Sequence, residues 1–197
     1  MKFLKRFFVV FFGILVLALI AGLFMKKEYT IEREVTITRS NAQVFDYIKH
    51  LKNQDEYSYW NKQDPTMKKK YVGKDATVGF IASWDGNDKV GQGEQEIKEI
   101  IEGERVDFEL RFKEPMEMTN NSYMTTKADG DGKTKVVWGF AGKMNYPMNI
   151  MIPFMGMDKM LGDQLQAGLD DLKKIMEDTP PNDIPAPDNR DTIKMVQ

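Results

Sequence analysis

The stretch GMDKMLGDQLQAGLDDLKKIMED, Gly156–Asp178, places Leu161, Leu165, Leu169, Leu172 and Met176 at steps of four, four, three and four. That spacing gathers them into one apolar stripe on an α-helix. Asp163, Gln164, Asp170, Lys173 and Lys174 fall on the other face, and Pro180-Pro181 stops the helix. A long helix with a single apolar stripe needs a surface to lie on.

The preceding segments supply a sheet. Val106, Phe108, Leu110 and Phe112 alternate with Asp107, Glu109, Arg111 and Lys113, the clearest strand in the chain. Around it the pattern predicts strands at Lys69–Val72, Val78–Trp84, Gly91–Ile101, Met118–Thr126 and Thr134–Phe140. The connections are short turns, including Asp85-Gly86-Asn87-Asp88 and Asp129-Gly130-Asp131-Gly132. Successive strands joined this way form an antiparallel meander. A first strand lies further upstream, with Tyr29, Ile31, Val35 and Ile37 at alternate positions and Arg33 breaking the set. Ser40 with Gln43 forms a capping-box pattern, and Val44, Phe45, Ile48 and Leu51 share a helical face. A second short helix or turn is expected in Gln54–Trp60, ending at Asp64-Pro65.

The expected fold is therefore α+β: strand, two short helices, about six strands, one long helix. A helix laid across a strongly curved sheet leaves space that side chains do not fill, and a ligand cavity can open there.

Before this domain, Phe7 to Met25 carries no charged or strongly polar side chain. Nineteen residues at about 1.5 Å each span roughly 28 Å, close to a hydrocarbon core of roughly 30 Å. A cleaved signal peptide is the rival reading, but its apolar region usually runs only about 7–15 residues. Ala18 and Ala21 also have the wrong spacing for A-x-A cleavage. An uncleaved transmembrane anchor is expected, with residues 1–27 as anchor and flanks, 28–178 as the domain, and 179–197 as a disordered tail. Lys2, Lys5 and Arg6 outweigh Lys26 and Lys27 with Glu28, which favours a cytoplasmic N-terminus and an extracytoplasmic domain.

Composition narrows the chemistry. The 197 residues contain no cysteine and one histidine, His50, so thiolate sites, disulfides and a histidine-rich metal centre are excluded. A net charge of −2 offers no global attraction for nucleic acid. Fourteen methionines suit either an adaptable apolar cavity or ordinary core filling. Gly91-Gln-Gly93 lacks the spacing and the following helix of a phosphate loop. His50 has no neighbouring nucleophile, and a solvated helix end accounts for it. Arg33 either holds an acidic ligand group or snorkels at the sheet edge.

The order of elements, with Ala42-Gln-Val-Phe-Asp-Tyr-Ile, Leu51, Trp60, Gly79, Trp84, Gly91-Gln-Gly93 and Gly168-Leu169-Asp-Asp-Leu172-Lys, resembles the SRPBCC superfamily. The similar branch is the polyketide-cyclase/dehydrase type, related to START and birch-pollen-allergen domains, and the likeness covers about Tyr29–Glu177. The resemblance implies a helix-grip fold in which a curved sheet of about seven strands holds the last helix around an apolar pocket. It implies chemistry less firmly, since function resides in the site and not in the fold.

Candidate ligand-binding residues are Tyr57, Trp60, Phe80, Trp84, Phe108, Phe112, Trp138, Phe140 and Leu165, although some of these aromatic rings must be plain core. Met151, Phe154 and Met155 join them from the apolar segment Tyr146–Met157. That segment is expected to gate one cavity end, to touch a bilayer, or to pack on the sheet. No catalytic residue, metal ligand or cofactor is expected. The expected activity is non-catalytic, membrane-anchored binding of a hydrophobic or amphipathic small molecule, a lipid being one candidate. The alternatives are a cyclase/dehydratase-like enzyme and a protein-interaction domain.

Overall fold

A computed structural model describes residues 2–180 of the chain. The expected disordered tail falls almost wholly outside the described residues. Helix α1 (Lys2–Phe24) is the apolar N-terminal segment, and its side chains are nearly all exposed. By length and composition it suits either a membrane span or a signal sequence. Strand β1 (Glu28–Ile37) follows, then three short helices: α2 (Asn41–Lys49), α3 (Gln54–Tyr57) and α4 (Tyr59–Gln63). Six further strands complete the sheet: β2 (Lys68–Val72), β3 (Ile81–Asp85), β4 (Gln92–Ile101), β5 (Arg105–Glu114), β6 (Met118–Ala128) and β7 (Thr134–Lys143). A 3₁₀ segment, Met148–Phe154, leads into the last helix, α5 (Met157–Asp178).

The sheet order is β1-β7-β6-β5-β4-β3-β2, antiparallel throughout. The meander read from the turns is thus correct, and β1 closes onto β7 at the far edge. Register shifts in the β4–β5 pair at Gln92/Gly93 and Ile97/Glu99 bend the sheet. The expected strand Val78–Trp84 begins later, at Ile81. Gly79 has φ +88°, which ends regular extension there, although its N–H still donates to Ile97 O at 2.8 Å.

Local signals explain the helices. The Ser40 backbone N–H and hydroxyl both donate to Gln43 Oε1, at 3.4 and 2.9 Å, which opens α2. Val44, Phe45 and Ile48 on its apolar face are buried. Along α5, Leu161, Leu165, Leu169, Leu172 and Met176 are all buried, as their spacing requires. Gly168 lets this helix approach the sheet, because a Cβ there would lie 2.8 Å from the Trp138 ring.

The direction of α5 follows from its ties to β1. Arg33 reaches Asp158, the Lys173 ammonium donates to Thr36 O at 2.9 Å, and Glu177 accepts from the Thr38 N–H at 2.7 Å. The helix therefore runs in the same direction as β1, with its first turn nearer the strand's start than its last turn is. The register also sets Glu28 against Lys143, Met118 against Phe112, and Gln92 against both Glu114 and Asp85. The starts of β1, β4 and β6 and the ends of β3, β5 and β7 consequently share one end of the sheet with the start of α5.

Candidate apolar cavity

Between α5 and the sheet lies a cavity of about 370 Å³. Its position follows from an uneven fit. The second half of α5, through Leu169, Leu172 and Met176, packs into the solid core with α2 and the inner faces of β4 to β7. Beneath the first half, Leu161 and Leu165, themselves buried, line the cavity. The cavity is bounded by the first half of α5, the short helices and strands β2 to β7.

Trp84, Phe112, Leu110, Trp138 and Phe140 form the sheet-side wall, with Trp60 and Leu51 from the short helices. Trp84 packs edge-on against Phe112, with centroids 5.7 Å apart. It can do so because Gly93, directly opposite on β4, has no side chain: a Cβ there would meet the indole at 2.6 Å. Trp60 in turn meets Trp138 edge-on at 6.2 Å. The Trp138 indole N–H donates to Ser122 Oγ at 3.2 Å, and that hydroxyl donates to Gly139 O at 2.9 Å. This chain removes the polar cost of burying an indole in the wall.

Polar groups collect at one side of the cavity. Asp55 accepts from the Lys69 ammonium at 2.7 Å, from Asn61 Nδ2 at 3.3 Å and from the Tyr71 hydroxyl. Gln54 lines the same region with a buried amide nitrogen that has no acceptor among the described residues. The lining also includes Met116 and Met118, both exposed, with Glu114, Lys89 and Val90.

The sequence-derived candidates divide three ways. Trp60, Trp84, Phe112, Trp138, Phe140 and Leu165 line the cavity. Tyr57, Phe80 and Phe108 are instead fully packed core residues. Burial holds the Tyr57 phenol far above its ordinary pKa, and its hydroxyl is spent on Met124 Sδ at 3.4 Å. Met151, Phe154 and Met155 are exposed and lie outside the cavity lining. No residue of the segment Tyr146–Met157 lines the cavity. Its buried Asn149 donates to Gly22 O at 2.7 Å and to Met25 O at 3.2 Å, so it clasps the end of α1.

Sequence reasoning missed Leu110, although its alternation with Phe108 and Phe112 carried the signal. It also missed Gln54, Asp55, Met116 and Met118, whose roles depend on how the short helices and the β5–β6 turn fold over the groove. Two other candidates resolve simply. Arg33 neither faces the cavity nor lies idle at the sheet edge; its guanidinium donates to Asp158 O at 2.8 Å. His50 Nδ1 lies 2.7 Å from Asp46 O at the end of α2, away from the cavity. Among the described residues no cluster of three His, Cys, Asp or Glu side chains has metal-binding geometry.

A family model described as polyketide cyclase / dehydrase and lipid transport matches residues 28–177. The chain belongs to this family. Among solved structures, truncated norcoclaurine synthase from Thalictrum flavum superposes with a TM-score of 0.57 at 10% identity, covering 78% of this chain and 96% of the synthase. The di-domain ARO/CYC BexL from the BE-7585A biosynthetic pathway gives 0.56 at 11%, covering 78% of this chain and 51% of BexL. A protein from Nitrosospira multiformis gives 0.54 at 13%, covering 75% and 96%. At such identities these likenesses concern the fold alone, and they agree with a helix-grip domain. No functionally curated protein matches the sequence.

Proposed function

We propose that this family member is a membrane-anchored receptor for a hydrophobic or amphipathic small molecule, a lipid being the leading class, and that it binds without catalysis. One observation carries the reading: the 370 Å³ space under Leu161 and Leu165, walled by tryptophan, phenylalanine and methionine. Burying about 300 Å² of apolar ligand at roughly 25 cal/mol/Å² contributes on the order of 7 kcal/mol before association costs. The unpartnered Gln54 amide gives the cavity one polar feature, which suits an amphipathic ligand.

The anchor is part of the proposal. The Asn149 side chain is buried against the last carbonyls of α1, and cleavage after that helix would strip it of both acceptors. This supports a retained span, residues 1–27, over a removed signal sequence. The flanking charges favour a cytoplasmic N-terminus with residues 28–178 exported.

Native mass spectrometry of the full chain, purified in mild detergent, tests the binding reading. A bound mass that matches an extractable lipid is expected. A protein that stays empty after exposure to total membrane lipid refutes it.

A cyclase/dehydratase-like enzyme is the second reading, and the Asp55–Tyr71–Lys69 cluster is the feature in its favour. Each of these groups already has a partner within the cluster, which suits a structural role better than proton transfer. Turnover of a polyketide-type substrate that is lost in Asp55→Asn, with binding retained, would establish the enzyme.

A further inference from the structure

We infer that the cavity opens toward the bilayer, so that its ligand is a membrane lipid whose acyl chain enters directly from the leaflet beside the anchor. This rests on the anchored-receptor reading and adds to it the source and route of the ligand. Three features meet at one end of the sheet.

The first is the attachment of α1. Asn149 bonds Gly22 O and Met25 O, and Ile150 packs so closely on Gly22 that a Cβ there would meet it at 2.5 Å. Two residues after Met25, Lys27 O accepts from the Met144 N–H at 2.8 Å. The chain between helix and sheet therefore has little slack. The apolar run ends at Met25, and Lys26 and Lys27 follow at the level expected for lipid headgroups. The end of the sheet where β1 begins is held against the membrane surface.

The second feature is the cavity rim. Met116 and Met118 line the cavity from the β5–β6 turn, which lies at that same end. Leu161, in the first turns of α5, lines it from the helix side. The mouth thus faces the end that carries α1.

The third is exposed apolar surface on the segments at that end: the β5–β6 turn, the 3₁₀ segment and the start of α5. Phe154 is 79% exposed and Met116 61%, with Met151, Met155, Met118 and Met160 also exposed. Side chains like these are poorly placed in water and well placed in the interfacial region of a leaflet. The turns at the opposite end of the sheet, Glu102-Gly103-Glu104 and Asp129–Lys133, carry no methionine or phenylalanine. A lipid that slides into this mouth never exposes its chain to water, and flexible thioethers can give way as it passes.

The tryptophans allow a direct test. The chain has three, and Trp60, Trp84 and Trp138 all line the cavity. Full-length protein is placed in nanodiscs of phosphatidylcholine with brominated acyl chains, which quench indole emission on contact. We expect at least a third of the emission to be lost relative to unbrominated nanodiscs. Phe154→Asp with Met155→Asp, which alters exposed residues outside the cavity lining, should remove at least half of that quenching. A soluble bromoalkanoic acid added from water should still quench parent and variant alike, which also shows that the variant is folded. If the charged pair unfolds the protein, Phe154→Ser alone takes its place. Unchanged emission in brominated nanodiscs, or equal quenching of parent and variant, overturns the bilayer-facing mouth provided that the soluble acid quenches both. If the soluble acid quenches neither, the receptor reading falls and the route falls with it. Loss of the full chain from the nanodisc on size exclusion overturns the anchor.

Discussion

Gly93 on β4 stands directly opposite Trp84 on β3, and the indole lies across the space where a side chain at position 93 would be. That one absent Cβ sets the width of the cavity wall. It lets a large ring lie against the sheet instead of filling the groove, and it places that ring edge-on to Phe112.

Gly93→Ala should therefore both narrow the cavity and strain the sheet. The new methyl meets the indole at 2.6 Å and the Arg111 carbonyl oxygen at 2.7 Å, and the carbonyl is backbone that cannot swing aside. Overpacking of this kind costs about 1–3 kcal/mol. Urea unfolding of the variant should show a lower midpoint with an unchanged slope.

Ala82→Phe tests the cavity with less damage. Ala82 lines the empty space from β3, so a larger side chain can occupy volume that is already vacant. The expected result is a melting temperature within a few degrees of the parent and a large loss of binding for an environment-sensitive apolar dye. Undiminished dye binding would place the apolar site elsewhere.

The Arg33–Asp158 pair should contribute little by itself. The carboxylate is 79% exposed, and the guanidinium lies 3.3 Å from it. Pairs of this exposure are worth about 0.2–1 kcal/mol. A double-mutant cycle with Arg33→Met and Asp158→Asn should return a coupling in that range, reduced further by salt. A much larger coupling would mean that the charge of Arg33 is required for docking α5.

Glu177 provides a pH signature. The Thr38 N–H donates to its carboxylate at 2.7 Å, with Lys173 and Arg39 nearby, and this holds its pKa below the ordinary carboxylate value of 4.5. The folded protein binds this proton less readily than the unfolded chain does. Its contribution is therefore complete above the unfolded pKa and is lost as pH falls through the lower folded value. Glu177→Gln should flatten the acid side of the stability profile, below about pH 4.5, when unfolding is followed by circular dichroism.

Asn149→Ala should loosen the tie between α1 and the domain without unfolding the domain. The side chain is buried and donates to Gly22 O in α1 and to Met25 O just after it, while the sheet core lies elsewhere. Limited proteolysis should cut faster between Met25 and Tyr29, with the thermal midpoint of the domain preserved.

Much of the fold was legible because its signals are periodic and local. The alternation through Val106–Phe112, the stripe from Leu161 to Met176 and the Asp129–Gly132 turn each specify an element from neighbours in sequence, and the meander follows from the shortness of the turns. Local pattern also determined the apolar character of α1. The site was legible only in part. Phe108 and Phe112 share one strand face and read alike, yet Phe108 is sealed in the core while Phe112 borders the cavity. The difference comes from the bends in the β4–β5 pair and from how closely α5 lies above each residue. Those depend on contacts between distant segments, such as Gly168 with Trp138 and Arg33 with Asp158. The methionine-rich segment shows the same limit: its composition suggested several uses, and only its meeting with Gly22 and Met25 determined that it clasps the end of α1. Periodicity along the chain specifies which faces are apolar, but whether two apolar faces touch or leave a gap is decided by three-dimensional packing.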